Sequence, residues 1–249
     1  MCSFDLINQR LPRIENTSRI WRILSIAGLL FLLLVFPDDN VFAKDLNRDS
    51  SQLNVSYYFD SREYNTLNIQ ASTHKLPLDI FFWGFIDIHS EQNNNSDRFD
   101  LSRYFIEYRF IRPVGFGIEG LNWEAEYNDF NGSNNSLVRF GVTYKHSLPF
   151  LGGSKSWLQW RIHPLDTGSS GYQASVIFTF WLAKGIYISG FADLNLDGGQ
   201  PHRWVAEPQL NFVLNEDFDL IVEGRINEVE GANPSQSGSG VALGVKVKF

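Results

Sequence analysis

The sequence predicts an all-β fold: a transmembrane antiparallel up-and-down β-barrel of about 12 strands that follows an N-terminal signal peptide. Three observations predict it: an apolar N-terminal segment with a cleavage pattern, a succession of alternating segments, and an amphipathic final strand. We therefore divide the 249 residues into a signal peptide, 1–43, and a barrel, 44–249.

The N-terminal segment has the order of features expected of an export signal. Arg19 and Arg22 precede an apolar run at 23–36, and Val41-Phe42-Ala43 then places a branched and a small residue before Lys44. A membrane anchor is the alternative, but the run is shorter than the roughly 18 to 20 apolar residues that a spanning helix needs. The segment is therefore predicted to be cleaved after Ala43.

The remaining chain has a composition that excludes several classes of function. Residues 1–43 hold four basic and four acidic residues, so the mature chain keeps a net charge of -7 and loses the only Cys and the only Met. Thiolate catalysis and Cys-based metal sites are excluded. The acidic balance argues against a nucleic-acid polymer as partner, because phosphate binding requires Lys and Arg. We expect no cofactor, and no spacing predicts a metal site.

Alternating apolar and polar residues recur along the whole mature chain. Each segment is close to the roughly 9 to 11 residues with which a tilted strand crosses a bilayer. No long apolar helix pattern interrupts them. The predicted strands are 52–60, 64–74, 77–89, 99–111, 117–129, 136–148, 155–163, 171–182, 185–196, 202–214, 217–228 and 238–249.

The connections between these strands alternate in length. Outer-membrane barrels have long external loops and short periplasmic turns, so the alternation puts both chain ends on the periplasmic side. A soluble β-sandwich with chance alternation is the other reading. Long polar connections follow strands three, five and eleven (90–98, 130–135, 229–237), and tight ones follow strands two, four, eight and ten (75–76, 113–116, 183–184, 215–216).

The last strand, together with the signal peptide, favours a membrane barrel, although a strand that closes a soluble core could have the same pattern. Val241, Leu243, Val245 and Phe249 share one face of it, whereas Lys246 lies on the other. A strand that ends the chain on an aromatic residue is typical of bacterial outer-membrane barrels. We therefore predict apolar residues outside against lipid, location in a Gram-negative outer membrane, and recognition of Phe249 by the barrel-assembly machinery.

The predicted inward faces carry charges of both signs on neighbouring strands. Two readings stay open: the charges satisfy one another inside a narrow barrel, or they line a polar pore that orients a dipolar solute. These residues are Arg103, Glu107, Arg109, Glu124, Glu126, Arg139, Arg161, Glu223, Arg225 and Lys246.

Strand three differs because its inward face is aromatic. Phe81, Trp83 and Phe85 alternate between Asp79 and Asp87 on one side of the strand, and Phe191 with Asp193 repeats the pattern on strand nine. The rings either fill space or present flat surfaces to a sugar or a base.

The histidines do not form a catalytic pattern. Outer-membrane acyl hydrolases place His and Ser on one face of a strand, but His89 and His146 each directly precede a Ser and therefore point away from it. The sequence predicts that the protein is not an enzyme. A barrel hydrolase, a closed structural or adhesion barrel and a soluble periplasmic barrel remain the alternatives.

Four short segments resemble those of the Tsx-type nucleoside-specific channels, small twelve-stranded porins of Gram-negative outer membranes. Their order along the mature chain is also similar to that of the family. They are Trp-Gly-Phe-Ile-Asp at 83–87, Arg-Phe-Gly-Val-Thr-Tyr at 139–144 followed by Leu-Pro-Phe at 148–150, Gly-Phe-Ala-Asp at 190–193, and Trp-Val-Ala-Glu-Pro-Gln-Leu at 204–210.

The resemblance implies a narrow pore through which nucleosides diffuse past several weak sites. The implied aromatic contacts are Phe81, Trp83, Phe85 and Phe191, with Asp87, Asp193 and Glu207 as polar partners. The chain is short for this family and its loops are lean, so the resemblance also allows another small hydrophilic or aromatic solute.

Overall fold

The computed structural model describes residues 51–92, 104–115, 117–130, 136–151, 155–167, 171–196, 203–228 and 238–249. The predicted signal peptide, 1–43, lies outside the described residues, as does Arg103. None of the described residues form a helix that is long and apolar enough to cross a membrane.

The described residues form thirteen β-segments, which are numbered in chain order. Most contain ten to twelve residues; β10 and β11 are shorter. They are β1 Ser51–Asp60, β2 Tyr64–Thr73, β3 Phe81–Glu91, β4 Tyr104–Pro113, β5 Leu121–Phe130, β6 Leu137–Ser147, β7 Trp157–Asp166, β8 Tyr172–Ala183, β9 Ile186–Leu196, β10 Arg203–Ala206, β11 Gln209–Val213, β12 Phe218–Asn227 and β13 Gly238–Lys248.

The segments close into one antiparallel barrel. From β1 to β9 each segment pairs with its neighbours in sequence, and β13 pairs with both β12 and β1, so that Val245 lies between Leu220 and Tyr57. Segments β10 and β11 both pair with β9 on one side and β12 on the other. They are two halves of one strand, and the prediction of a twelve-stranded barrel is confirmed.

The break in the tenth strand lies at Glu207 and Pro208. Proline has no N–H to donate, so a ladder cannot run through it unchanged. The Glu207 N–H donates to the Phe191 carbonyl at 3.0 Å, and the Gly224 N–H donates to the Pro208 carbonyl at 2.8 Å. On the facing strand, a Cβ on Gly190 would lie 2.3 Å from the Glu207 carbonyl oxygen, so glycine permits this close approach.

Two predicted strand boundaries are wrong at the ends of tight connections. Strand three begins at Phe81 rather than at 77, and Asp79 lies in the preceding turn with a left-handed φ of 57°. Strand five begins at Leu121 rather than at 117, because Gly117 and Gly120 have positive φ and extend the turn. Asp79 therefore does not continue the alternation of strand three.

The barrel has two distinct ends. Both termini of the described barrel lie at one end, which we call the turn end, together with the connections 74–80, 114–120, 148–156, 184–185 and 214–217. The other end, the loop end, carries the connections 61–63, 92–103, 131–136, 167–171, 197–202 and 228–237. The connections 92–103 and 228–237 are long, as predicted, but 148–156 at the turn end is longer than 61–63 at the loop end, so the predicted alternation in length does not hold throughout.

The faces of the strands are inverted relative to a soluble protein. Leu243, Trp160 and Ile162 are more than half exposed on the outside of the barrel, whereas Glu124 and Glu223 are buried within it. In a water-soluble barrel the interior is filled by apolar side chains. Alternation along each strand separates the polar from the apolar side chains, and the closed barrel encloses the polar set.

Candidate functional site: the polar interior of the barrel

One group of interior charges lies on β4 to β7 and forms a continuous ion-pair network, which we call the β4–β7 cluster. Arg109 pairs with Glu107 on the same strand and lies 3.2 Å from Glu126 on β5. Glu126 also accepts a hydrogen bond of 2.6 Å from Arg139 on β6. Arg161 Nε lies 2.5 Å from Glu124 Oε1. The structure therefore brings together six of the charges that the sequence predicted to face inward.

His163 completes this cluster and was not predicted as part of it. Its Nε2 lies 3.3 Å from Glu124 Oε1, and its Nδ1 lies 3.3 Å from Gln173 Oε1. Glu124 on β5 is in register with Gly141 on β6, and Gly141 has no side chain to separate Glu124 from His163 on β7. Because Gly141 leaves this gap, a glutamate and a histidine two strands apart can touch.

A bulge between β6 and β7 lies beside His163. The register shifts between Phe140 and Val142, so the residues around His163 and Pro164 face a single residue, Gly141. Beyond the bulge, Asp166 again faces inward and lies 3.5 Å from Arg139. His163 keeps the inward phase of Arg161, two residues earlier, whereas the bulge shifts the phase after it and adds Asp166 to the cluster.

Glu124, Glu126 and His163 are the described residues whose donor atoms come close enough together, within 4.8 Å, to hold a metal ion. The same carboxylates already contact guanidinium groups: Arg161 contacts Glu124 and Arg139 contacts Glu126. A cation would have to displace these partners. The arrangement therefore fits an ion-pair network better than a metal centre.

A second network, the β1–β2–β12 cluster, is centred on Arg225. Arg225 Nη1 donates to Asp60 Oδ2 at 3.1 Å and to Thr66 Oγ1 at 3.1 Å, and its Nε pairs with Glu223. Asp60 also pairs with Arg62 in the turn after β1, at 2.9 Å. The sequence predicted the inward positions of Glu223 and Arg225, but it did not predict their link to Asp60.

The predicted aromatic face of β3 is present, and its rings are only partly buried. The Trp83 and Phe85 rings meet edge to face with centroids 5.3 Å apart, and Arg109 lies 5.0 Å from the Trp83 centroid. The Asn68 amide donates to Asp87 at 2.7 Å. Phe105, on β4, extends the group through a 5.5 Å contact with Phe85 and was not predicted.

At the turn end of this strip, Phe81 stacks on His74 with centroids 4.3 Å apart. Burial of the His74 ring, and then the charge of Lys145, lower the pKa of its imidazole. The neutral ring is therefore favoured against Phe81.

The opposite wall carries the other predicted contacts. Asp193 is in register with Ser175 and is close enough to Arg109 to interact with it across the lumen. Glu207, at the strand break, interacts with Glu223 and Arg225. Phe191 lies between them on β9 and is half-buried. The structure thus places these residues inside the barrel, with Asp193 near the β4–β7 cluster and Glu207 near the β1–β2–β12 cluster.

The interior also contains an open cavity at the turn end, with a volume of about 390 Å³. Lys246, the last of the predicted inward charges, borders this space rather than either cluster. The lining residues are Gln52, Asn54, Tyr187, Glu216, Asp217, Asp219, Lys246, Lys248 and Phe249.

The fold is similar to that of several outer-membrane barrels of known structure. A KdgM porin in complex with disordered oligogalacturonate shares 11% identity, with 80% of this chain and 99% of the porin covered at a TM-score of 0.51. The NanC porin shares 9% identity over 79% of this chain and 98% of its own, with a TM-score of 0.52. Outer membrane phospholipase A from Escherichia coli shares 11% identity over 88% and 96%, with a TM-score of 0.50.

At these identities the likeness concerns the fold alone. No known family matches the sequence, and no curated protein matches it either. Both porins and a phospholipase share this architecture, so the function has to be argued from the interior itself.

Proposed function

We propose that the chain is an outer-membrane channel of a Gram-negative bacterium through which small solutes diffuse passively, without a catalytic step. One observation carries the proposal: an apolar surface encloses an interior of charges and partly exposed aromatic rings. A solute passing such a wall meets several weak contacts, and weak contacts let it leave again. The similarity of the fold to porins agrees with this function.

Nucleosides, or hydrophilic and aromatic metabolites of similar size, are the solutes we propose. Trp83 and Phe85 offer ring faces, and a stacking contact with a base contributes roughly 1 to 3 kcal/mol. Asp87 and Glu207 supply acceptors for hydroxyl groups on the same path. The resemblance of residues 83–87 and 204–210 to segments of nucleoside channels supports the same choice.

Liposome swelling tests both levels of the proposal. Vesicles containing the purified barrel should swell faster in nucleosides than in sugars of equal size. Equal rates would exclude nucleoside preference and leave a general channel. No swelling in either solute would exclude a channel.

A closed barrel is the second candidate, and a specific observation favours it. Glu124, Glu126 and His163 have exposed fractions of 0%, 1% and 0%, so this part of the interior is sealed from solvent. A barrel filled in this way would act as a structural or adhesion protein. Planar-bilayer recordings separate the candidates, because a closed barrel gives no conductance steps.

A hydrolase is supported less well by the described residues. His89 contacts the hydroxyl of Thr66 at 3.2 Å, and His163 contacts Gln173 and Glu124. Neither arrangement places a serine beside a histidine on the outward face. We therefore propose no enzymatic activity.

Export and assembly follow from the same proposal. We propose that residues 1–43 are removed on export and that the barrel-assembly machinery recognises Phe249. Mass spectrometry of the membrane-inserted protein should then find Lys44 as the first residue, and removal of Phe249 should lower the folded yield.

A further inference from the structure

The turn-end cavity is open and large enough for a small molecule. Its volume of about 390 Å³ lies in the range of known ligand sites, roughly 300 to 1,000 Å³. Lys246 and Lys248 enter it from one strand, whereas Tyr187 and Asp219 enter it from β9 and β12.

The charges in this cavity are not all paired. Asp219 is satisfied twice, by Lys248 Nζ at 2.9 Å and by the Tyr187 hydroxyl, which donates at 3.1 Å. Lys246 Nζ has only the amide oxygen of Asn211, at 3.5 Å. Among the described residues no carboxylate lies within 4 Å of Lys246, so its ammonium group makes no direct ion pair, although Asp219 stands opposite it on β12 and acts on it electrostatically.

The other polar groups narrow the class of ligand. Gln52 and Asn54 line the cavity and can donate amide N–H groups to an anion beside Lys246. Glu216 and Asp217 are exposed at the rim and would repel a molecule with several negative charges. A single carboxylate on a small body fits both conditions.

We propose that the turn-end cavity binds small monocarboxylate solutes and that Lys246 recognises their carboxylate. The inference rests on the proposed channel for its place on a solute's path, because the cavity lies at one mouth of the barrel. Binding itself can be measured without any transport.

The test compares benzoate with benzamide, which has nearly the same shape but no charge. Ligand-observed NMR with the purified full-length barrel in detergent measures the affinity for each probe. We expect benzoate to bind more tightly than benzamide, and Lys246→Gln to weaken benzoate binding about two- to fivefold, as expected for one partly exposed ion pair. Benzamide binding should not change.

Lys184→Gln is the matched control, because Lys184 is exposed in a turn at the same end and does not line the cavity. It should leave benzoate binding unchanged. Equal affinities for the two probes, or an equal loss in the Lys246 and Lys184 variants, would overturn the inference. Heat-modifiable mobility on gels shows that each variant is folded.

Bilayer recordings separate this inference from the channel proposal. If the barrel conducts but Lys246→Gln changes neither benzoate block nor benzoate binding, the carboxylate site is wrong and the channel stands. If the barrel does not conduct but benzoate binding depends on Lys246, the site stands and the channel is wrong.

Discussion

Single charged residues inside this barrel matter for its stability because their charges are buried in pairs. Glu124 is fully buried and contacts both Arg161 and His163. Replacing a whole buried pair by apolar groups can be neutral, but removing one partner leaves a charge without compensation.

Glu124→Gln should therefore destabilise the barrel by roughly 3 kcal/mol, because the Arg161 guanidinium loses its carboxylate in a sealed interior. Urea unfolding of the protein in lipid vesicles measures the change in the free energy of unfolding. Glu119→Gln, at an exposed turn position, is the control and should have almost no effect. Equal stability of the two variants would show that water reaches Glu124.

Trp83→Ala should weaken block of the open channel by nucleosides roughly fivefold or more, because the loss of one stacking surface is worth at least about 1 kcal/mol. Single-channel recordings with added nucleoside measure the block. Trp160→Ala removes an indole from the outer surface, where Trp160 is 52% exposed, and should leave the block unchanged. Loss of heat-modifiable mobility in Trp83→Ala alone would mean that the ring packs on Arg109 rather than on solute.

The period of two was sufficient to place individual side chains wherever a strand is regular. Glu107, Glu126 and Glu223 face inward, as predicted from alternation once the apolar face is assigned to the outside. The sequence did not predict two members of the charge clusters, His163 and Asp60, for different reasons. His163 contacts Glu124 only because Gly141 faces both, which requires the register of three strands, and Asp60 meets Arg225 across β13, which requires closure of the barrel.

At the scale of the strands, the bulge between β6 and β7 connects local geometry to the site. A Cβ on Gly141 would lie 1.9 Å from the Ile162 carbonyl oxygen and 2.8 Å from His163 Cα. Both neighbours are backbone, so neither can rotate away. Strands β6 and β7 would have to separate, and the contact between Glu124 and His163 would be lost.

Gly141→Ala should therefore lower the folded yield and destabilise the barrel by about 1 to 3 kcal/mol, as overpacking does elsewhere. Heat-modifiable gel mobility and urea unfolding measure the two effects. Gly224→Ala is the matched control, because its Cβ would meet the Pro208 ring at 3.4 Å, an ordinary contact. A tolerated Gly141→Ala would mean that the bulge can move.

Strand existence was predicted well, whereas strand ends and interruptions were not. The tenth strand was predicted as continuous because Trp204, Ala206 and Leu210 keep the alternation. Pro208 was the signal for a break, since proline is rare in a central strand. In the connection between strands four and five, Gly117 and Gly120 were read as strand, although their positive φ values extend the turn.

For the whole molecule, the sequence predicted a closed barrel with an inward polar face more reliably than it predicted a solute. The number of strands and the alternation of connection lengths are counted along the chain. A solute site depends on distances across the lumen, such as that between Asp193 and Arg109, and the parity of single strands does not contain them. The sequence therefore predicts a polar interior, whereas the structure is needed to divide it into two charge clusters, an aromatic strip and a cavity.

The inside-out arrangement itself predicts how the cost of an outward charge changes with depth. Phe218 and Val222 lie on the outward face of β12, with Phe218 at the turn end and Val222 near the middle. A charge at the bilayer midplane costs roughly 2 to 4 kcal/mol in a transmembrane barrel, and near the interface it costs roughly 0 to 1 kcal/mol.

Val222→Arg should therefore destabilise the barrel folded in phospholipid vesicles by about 2 to 4 kcal/mol, and Phe218→Arg should destabilise it by no more than about 1 kcal/mol. Folding titrations in urea with vesicles of one lipid composition measure both variants. In a barrel surrounded by water the two substitutions would have similar and small effects. Equal costs at the two positions, together with a protein that stays folded without detergent, would show that this apolar face does not meet lipid and that no solute crosses a membrane through the barrel.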